Sequence, residues 1–312
     1  MNNPPLLQQF RAFCFQNKLN DPEVALEYFS VFGGLGWEID CSKSVELLIE
    51  EIVLLNYGSL HAQMTKITYS DKIYHALLKG IAMGDGRVHS ALKRGDISQE
   101  DGTEAINYLC DNGIIRKEES LRFVLPEARK NEAIDDVLHF TSPFLRFWFA
   151  FISPLYQSIQ DGDYSEVETR FENRKVEFTH YVFEQLSRDL LVSNFPDEEI
   201  TKIGSFWDRE IKLDIVAQTQ SGKTLVGACR YANAKIKKSE LTKLTEKCDT
   251  LDFKPNVQLL FSKNGYTNEL KSLKGEALRL SSIKNFKKLL ENLSEKETIE
   301  GLNKPRDRSS RY

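Results

Sequence analysis

The stretch REIKLDIVAQTQSGKTLVGACRYA (residues 209–232) decides the fold class. Its first half alternates, with Ile211, Leu213, Ile215 and Ala217 on one face and Glu210, Lys212 and Asp214 on the other, the period of a half-buried strand. Its second half, KTLVGACRYA, is another apolar run of β-type residues. Between them Gly222, Lys223 and Thr224 match the end of a phosphate-binding loop, which carries its last glycine, its lysine and its magnesium-binding hydroxyl in that order. Such a loop must open directly into a helix whose N-terminus faces the phosphates. Here TLVGACRYA is too apolar all round for a first helical turn, and Ala217 stands where the first glycine of the pattern belongs. The stretch therefore reads as a β-hairpin with Gly222 at a positive φ, and no ATP binding is expected at it.

Outward from the hairpin, VEFTHYVFEQLSRDLLVS reads as a long helix, with Phe178, Val182, Leu186 and Leu190 repeating every four residues from a start near Arg174. SELTKLTEKCDTL reads as a helix and NVQLLFSKNGY as a strand. TNELKSLKGEALRLSS reads as a helix with a short strand, and IKNFKKLLENL as a last helix. Helix, strand, strand, helix, strand is an α/β pattern. After Leu293 large apolar residues almost vanish, so residues 294–312 are expected to be a disordered tail.

Upstream, SDKIYHALLKGIAMG, GRVHSALKRG and ISQEDGTEAINYLCDNG read as three helices, the third with Ser98 as its cap and Gly113 as its stop. IIRKEESLRFVLP follows as two short strands around a turn near Glu119 and Ser120. That order resembles a winged helix-turn-helix. A groove-reading third helix needs positive charge, and this one carries Glu100, Asp101, Glu104 and Asp111 with no lysine or arginine. Basic residues flank it instead: Arg87, Lys93 and Arg94 before, and Arg116, Lys117 and Arg122 after. The reading favours a protein contact over DNA reading by this helix.

Residues 1–65 read as helices without a motif. Asp21 is a candidate N-cap with Pro22 at the first helical position, and Gly58 is a candidate stop for SVELLIEEIVLLNYG. The run FLRFWFAFISPL is far short of the ~20 residues of a membrane span. Its aromatics, Phe144, Phe147, Trp148, Phe149, Phe151 and also Tyr156, read as a helix packed between two domains. A chain of 312 residues with 41% hydrophobic and 28% charged residues is ordinary globular material, and a net charge of −4 argues against a generally basic nucleic-acid coat. Five scattered cysteines without a CxxC pair suggest reduced thiols in a cytoplasmic protein, and the N-terminus does not read as a signal peptide. His61, His75, His89, His139 and His180 form no ligand-spaced pair, and no nucleophile–histidine arrangement is readable.

Residues of about 70–290 resemble the C-terminal half of the archaeal-type DEXX-box ATPases, carried by SPFLRFWFAFISP, VFEQL, IKLDIVAQ, LVGACRY and LLFSKNGYTNEL. The upstream ATPase domain of that family is not expected here, since about 65 residues precede the winged helix and hold no phosphate loop. The resemblance implies a PD-(D/E)XK nuclease-like core, in which carboxylates hold Mg²⁺ and a lysine lies beside the attacking water. Asp214 falls on the first carboxylate position and Glu184 on the helix position, while Ala228 and Arg230 replace the Glu-x-Lys pair. Asp214, Glu184 and Arg230 are thus the candidate, degenerate catalytic set. Asp214, Glu184 and Glu210 would be Mg²⁺ ligands only if activity survives. The same residues also read as ordinary surface chemistry, with Asp214 and Arg230 as a salt bridge across a hairpin.

The expected architecture is mixed α+β. It comprises a helical N-terminal region (1–68), a winged helix-turn-helix (69–130), a helical connector (131–173), a restriction-endonuclease-like α/β domain (174–293) and the tail. The favoured function is non-catalytic binding of nucleic acid or a partner protein, without a cofactor. The alternatives are a Mg²⁺-dependent DNA nuclease and a docking subunit for a separately encoded ATPase. The candidate DNA contacts are Arg87, Lys93, Arg94, Arg116, Lys117, Arg230, Lys284, Lys287 and Lys288. They extend a basic stretch that also holds Lys271, Lys274 and Arg279.

Overall fold

The computed structural model describes residues 4–195 and 198–294; all but the first residue of the expected tail lies outside the described residues. The chain is a mixed α+β structure, a helical N-terminal region followed by an α/β unit built on a five-stranded sheet. No helix among the described residues is long and apolar enough to cross a membrane.

The N-terminal region contains α1 (Leu6–Gln16), α2 (Pro22–Phe32), α3 (Val45–Leu48, running on as a wide π turn over Ile49–Leu54) and α4 (Tyr57–Thr68). Asp21 caps α2, its Oδ1 accepting the Glu23 and Val24 N–H groups at 2.9 and 3.3 Å. Gly58 is not the stop it was expected to be, since it sits inside α4. The break falls at Asn56, whose Nδ2 donates to the Glu51 and Ile52 carbonyls at 2.9 and 3.2 Å and so ends the preceding turn.

Three helices follow: α5 (Lys72–Ala82), α6 (Val88–Gly95) and α7 (Gln99–Asp111). Ser98 caps α7 through the Asp101 N–H at 3.1 Å, and Gly113 after it takes φ +67. Gly80 lets α5 and α6 touch, because a methyl group there would collide with the Ala91 carbonyl. The strand β1 (Ile115–Glu118) pairs antiparallel with β2 (Val137–Phe140), not with residues 121–125 as expected. Residues 119–125 peel away because the α/β unit offers them better partners. Ser120 Oγ donates to the Trp207 carbonyl at 2.8 Å and accepts its N–H at 2.9 Å. Val124 and Leu125 are buried with Phe206. Arg122, read as a wing cation, caps the loop by donating to the carbonyls of Lys130 and Glu132.

The aromatic run forms α8 (Pro143–Phe147) and a π turn over Trp148–Ile152, leading to α9 (Tyr156–Gln160). Phe144, Phe147, Trp148, Phe149 and Phe151 are fully buried, whereas Tyr156 is exposed, contrary to its grouping with them. The long helix α10 (Ser165–Asn194) begins well before Arg174, because Val167 and Phe171 extend its buried stripe. Its 30 residues span about 45 Å at about 1.5 Å per residue, enough to back the whole sheet.

The sheet has the order β3 (Ile200–Trp207), β4 (Lys212–Thr219), β5 (Thr224–Arg230), β6 (Val257–Ser262), β7 (Leu278–Ser282). The first three strands are antiparallel; β5, β6 and β7 are parallel, linked by α11 (Lys238–Thr250) and α12 (Asn268–Ser272). The last segment, Ile283–Leu290, is a 3₁₀ helix instead of an α-helix. On β5, Leu225 and Cys229 face the core shared with α10, while Val226 and Ala228 face α11.

The alternation expected for β4 fails at one place. Gly204 pairs with Val216 and Phe206 with Leu213, so Ser205 opposes both Asp214 and Ile215. This bulge turns Leu213 to the α11 face while Ile215 and Ala217 keep the α10 face.

Candidate functional site

The bulge places Asp214 at the point where β4 leaves β5. The last rung between these strands is Ile215 with Gly227, and the Cys229 N–H beyond it would lack a ladder acceptor. Asp214 Oδ2 accepts that N–H at 3.0 Å and also accepts from Arg230 Nη1 at 3.0 Å. Arg230 Nε donates onward to Glu240 Oε2 of α11 at 2.7 Å. Glu184 comes from the buried face of α10, whose rotation is fixed by Val182, Phe183, Leu186 and Leu190.

Lys212 joins the two acids. Its Nζ lies 2.8 Å from Glu184 Oε2 and 3.7 Å from Asp214 Oδ1. The other Glu184 oxygen accepts from Arg188 Nη2 at 2.9 Å, and Arg188 Nη1 donates to Glu118 Oε1 on β1 at 2.8 Å. Arg188 also donates to Ser205 Oγ, whose hydroxyl donates to the Asp214 carbonyl at 3.0 Å. Glu118 lies 3.0 Å from His139 Nε2 on β2, and His139 Nδ1 meets the Tyr181 hydroxyl at 2.6 Å. A continuous line of alternating charge thus runs from the small β1–β2 ribbon to α11, most of it shielded from water.

The charges lock one another. Burial alone would raise the Asp214 carboxyl, but Lys212, the Cys229 N–H and Arg230 together hold it below the usual carboxylate range. Burial would lower Lys212 and Arg188, and their carboxylates instead push both upward. Burial is also opposed at Glu118, which His139 and Arg188 hold far down.

Sequence reasoning named Glu184, Asp214 and Arg230, and the structure brings all three into one network. Glu210 does not join it: the residue is exposed in the turn after Asp208, and among the described residues no hydrogen bond or ion pair links it to Glu184 or Asp214. Lys212, Arg188, Glu118 and Ser205 were missed. The first two had a signal, since Lys212 shares a strand face with Asp214 and Arg188 stands four residues after Glu184. Glu118 and Ser205 are non-local and had none.

The residues present do not fit Mg²⁺, which demands near-octahedral oxygen donors at about 2.0–2.1 Å. The Glu184 and Asp214 oxygens that face each other already hold the Lys212 ammonium, and Asp214 Oδ2 is taken by two N–H donors. Among the described residues, no group of three or more His, Cys, Asp or Glu side chains is arranged to hold a metal. Arg230 carries a fixed charge and cannot give up its proton at neutral pH as a lysine can.

The SGKT turn is closed in the same way. Gly222 has φ +88, as expected of the hairpin. The Ser221 N–H and hydroxyl donate to Glu198 at 2.9 and 2.8 Å, and Lys223 lies 3.3 Å from that carboxylate. These bonds, led by the Ser221 hydroxyl, hold Glu198 down to about 2. A carboxylate of the chain occupies the donors that a phosphate would need, so calorimetric titration with Mg-ATP should give no saturable heat. Binding that disappears on Lys223→Ala would overturn this.

Several of the candidate DNA contacts have partners within the chain. Arg87 and Arg94 lie 3.7 and 3.9 Å from Asp85, and Arg116 lies 3.3 Å from Glu118. Lys117 donates to Asn107 at 3.2 Å, and Arg279 lies over the Phe195 ring at 4.5 Å. Lys93, Lys284, Lys287 and Lys288 are exposed. On α7 the four acids Glu100, Asp101, Glu104 and Asp111 are all exposed.

Beside Lys212 and Glu184 opens a cavity of about 260 Å³. It lies between the end of α5, β2, α10 and the start of β4; Asp214 and Arg230 are not among the residues that line it.

Residues 148–244 are similar to a family described as archaeal and bacterial proteins of unknown function. No curated protein and no solved structure matches the chain. The matched segment runs from the π turn after α8 into α11, and so contains Glu184, Arg188, Lys212, Asp214, Arg230 and Glu240.

Proposed function

We propose that the chain is a non-catalytic binding protein, a winged helix joined to a nuclease-like domain whose acid site is closed by its own cations. The observation that carries this reading is Lys212, whose ammonium stands between Glu184 and Asp214 where a nuclease would need a divalent ion. Arg230, hydrogen-bonded to Asp214 and Glu240, supports it. The alternative, a Mg²⁺-dependent DNA nuclease using Asp214 and Glu184, would require the metal to displace both Lys212 and Arg230 from these carboxylates.

The acidic exposed face of α7 favours a protein partner over a DNA groove at that helix. On the resemblance to the C-terminal half of DEXX-box ATPases, that partner is a separately encoded ATPase. We assign nucleic-acid contact to Lys284, Lys287 and Lys288, which stand exposed together on one 3₁₀ segment, whereas the exposed Lys93 lies apart on α6.

Plasmid and single-stranded DNA should survive incubation with the protein in Mg²⁺ or Mn²⁺. Cleavage that is lost on Asp214→Ala would overturn the non-catalytic reading. DNA binding measured by anisotropy should be weak, with a logarithmic salt slope no steeper than about −3, as three lysine contacts allow. Replacing the three lysines by alanine should abolish it.

A further inference from the structure

Where α10 ends, another pocket of about 180 Å³ opens against β6 and β7. Leu190 and Leu191 of α10, with Leu259 and Phe261 of β6, make its floor apolar. Its charge is one-sided: Arg279 and Lys288 line it, and no aspartate or glutamate does. Phe195, the residue that ends α10, stands half-buried at its side, with the Arg279 guanidinium 4.5 Å from the ring centroid. Aromatic rings and guanidinium planes are both surfaces on which unpaired bases stack. Alternation along β7 turns Arg279 and Ser281 to this side, while Leu278 and Leu280 pack toward α11.

The 3₁₀ segment Ile283–Leu290 forms the rim. Such a helix repeats every three residues, so Ile283, Phe286 and Leu289 make one buried edge. Asn285 and Lys288 share a second edge and line the pocket, and Lys284 and Lys287 share the third, exposed to solvent. Among the described residues no carboxylate pairs with Lys284, Lys287 or Lys288. Two amides add opposite polarity. Asn194 Nδ2 donates to the Leu190 carbonyl at 3.2 Å, which leaves its oxygen as an acceptor. Asn285 Oδ1 accepts the Ser282 N–H at 2.8 Å, which leaves its Nδ2 as a donor. The edge of a base carries donors and acceptors side by side, and its faces are apolar. The pocket volume, about that of six waters, takes one planar ring and not a base pair.

We propose that this pocket takes one unstacked base of a single-stranded nucleic acid, whose neighbouring phosphates lie along Lys284, Lys287 and Lys288. This site rests on the assignment of nucleic-acid contact to those lysines and adds the form of nucleic acid they meet. In a duplex each base is paired and stacked on both faces, so a duplex reaches the lysines alone. The lysines supply the salt-dependent part of binding, and the pocket supplies a part that salt changes little.

The test is fluorescence anisotropy of the full chain with a labelled strand of about 12 nucleotides, as DNA and as RNA, and with the DNA duplex of the same sequence. At least one single strand should bind about tenfold or more tighter than the duplex, and the two arms identify the sugar. Phe195→Leu keeps an apolar side chain but removes the ring, and Ser281→Phe fills the pocket. Each should weaken single-strand binding by about fivefold or more and leave the logarithmic salt slope unchanged. Replacing the three lysines by alanine should flatten that slope. Circular dichroism checks that each variant is folded. Equal binding of strand and duplex, or single-strand binding unchanged in either folded pocket variant, would overturn the base site, while lysine-dependent binding left the nucleic-acid assignment standing. Binding of no probe, or binding indifferent to the three lysines, would remove both.

Discussion

Replacing Arg188 by methionine is expected to lower the free energy of unfolding by about 3–5 kcal/mol, the largest single-site loss we anticipate. The side chain is 12% exposed and serves Glu118, Glu184 and Ser205 at once. Methionine fills much of the same volume, so packing changes little and the loss reports charge. What remains is a pair of carboxylates, each 10–12% exposed, with their main counter-charge gone. Lys212 still holds one Glu184 oxygen, and His139 with Arg116 still lies beside Glu118, which keeps the loss below that of a bare buried ion. The contrast is the surface pair Arg170–Glu166, at 2.7 Å with Glu166 56% exposed. Arg170→Met should cost no more than about 0.5 kcal/mol. Urea unfolding followed by near-UV circular dichroism measures both. A loss under about 1 kcal/mol at Arg188 would mean that the network is looser than the distances imply.

That network marks the limit of what the chain could reveal by itself. The local features were readable: the four-residue stripe of α10, the strands β4, β5 and β6, the caps Asp21 and Ser98, and the positive φ of Gly222. Each depends on neighbours within a few residues, where periodicity and turn chemistry act. The misses are non-local. The partner of β1 lies beyond residues 119–136, and only the bonds of Ser120 to Trp207 show why the nearer segment is diverted. The strand β3 escaped because only its second half is buried and Gly204 and Ser205 interrupt any apolar alternation. The site shares this division. Asp214, Glu184 and Arg230 could be placed by type and spacing, but that Lys212 closes the acid pair follows from the bulge at Ser205. The bulge aims the strand, and no residue in it announces the turn.

Acid is expected to unfold the protein in two steps, with a total loss on the order of 3 kcal/mol between about pH 7.5 and about pH 4.5 and a steeper fall below. The first step belongs to histidine. Burial lowers His75, His139 and His180 from their ordinary value of 6.5. His75 Nε2 meets Ser153 Oγ at 2.7 Å, His139 Nδ1 meets the Tyr181 hydroxyl at 2.6 Å, and His180 Nδ1 accepts the Tyr231 N–H at 3.3 Å. Below pH 6.5 the unfolded chain takes up protons that the folded protein resists, so stability falls as pH falls. The second step belongs to Glu118 and Asp214, which the folded state holds below their ordinary 4.5 and 3.8. Their contribution is complete above those values and is lost as pH drops beneath them. Asp189 works the other way. Burial raises it to about 6 from 3.8, so the folded state favours its proton and gains stability as pH falls through that window. Asp189→Asn should therefore raise stability at about pH 7.5 by about 1–3 kcal/mol and make the first step steeper. Urea midpoints measured across the range decide the matter: a midpoint that holds level or rises between about pH 7 and about pH 5 would show that the buried histidines are not the dominant titrating groups.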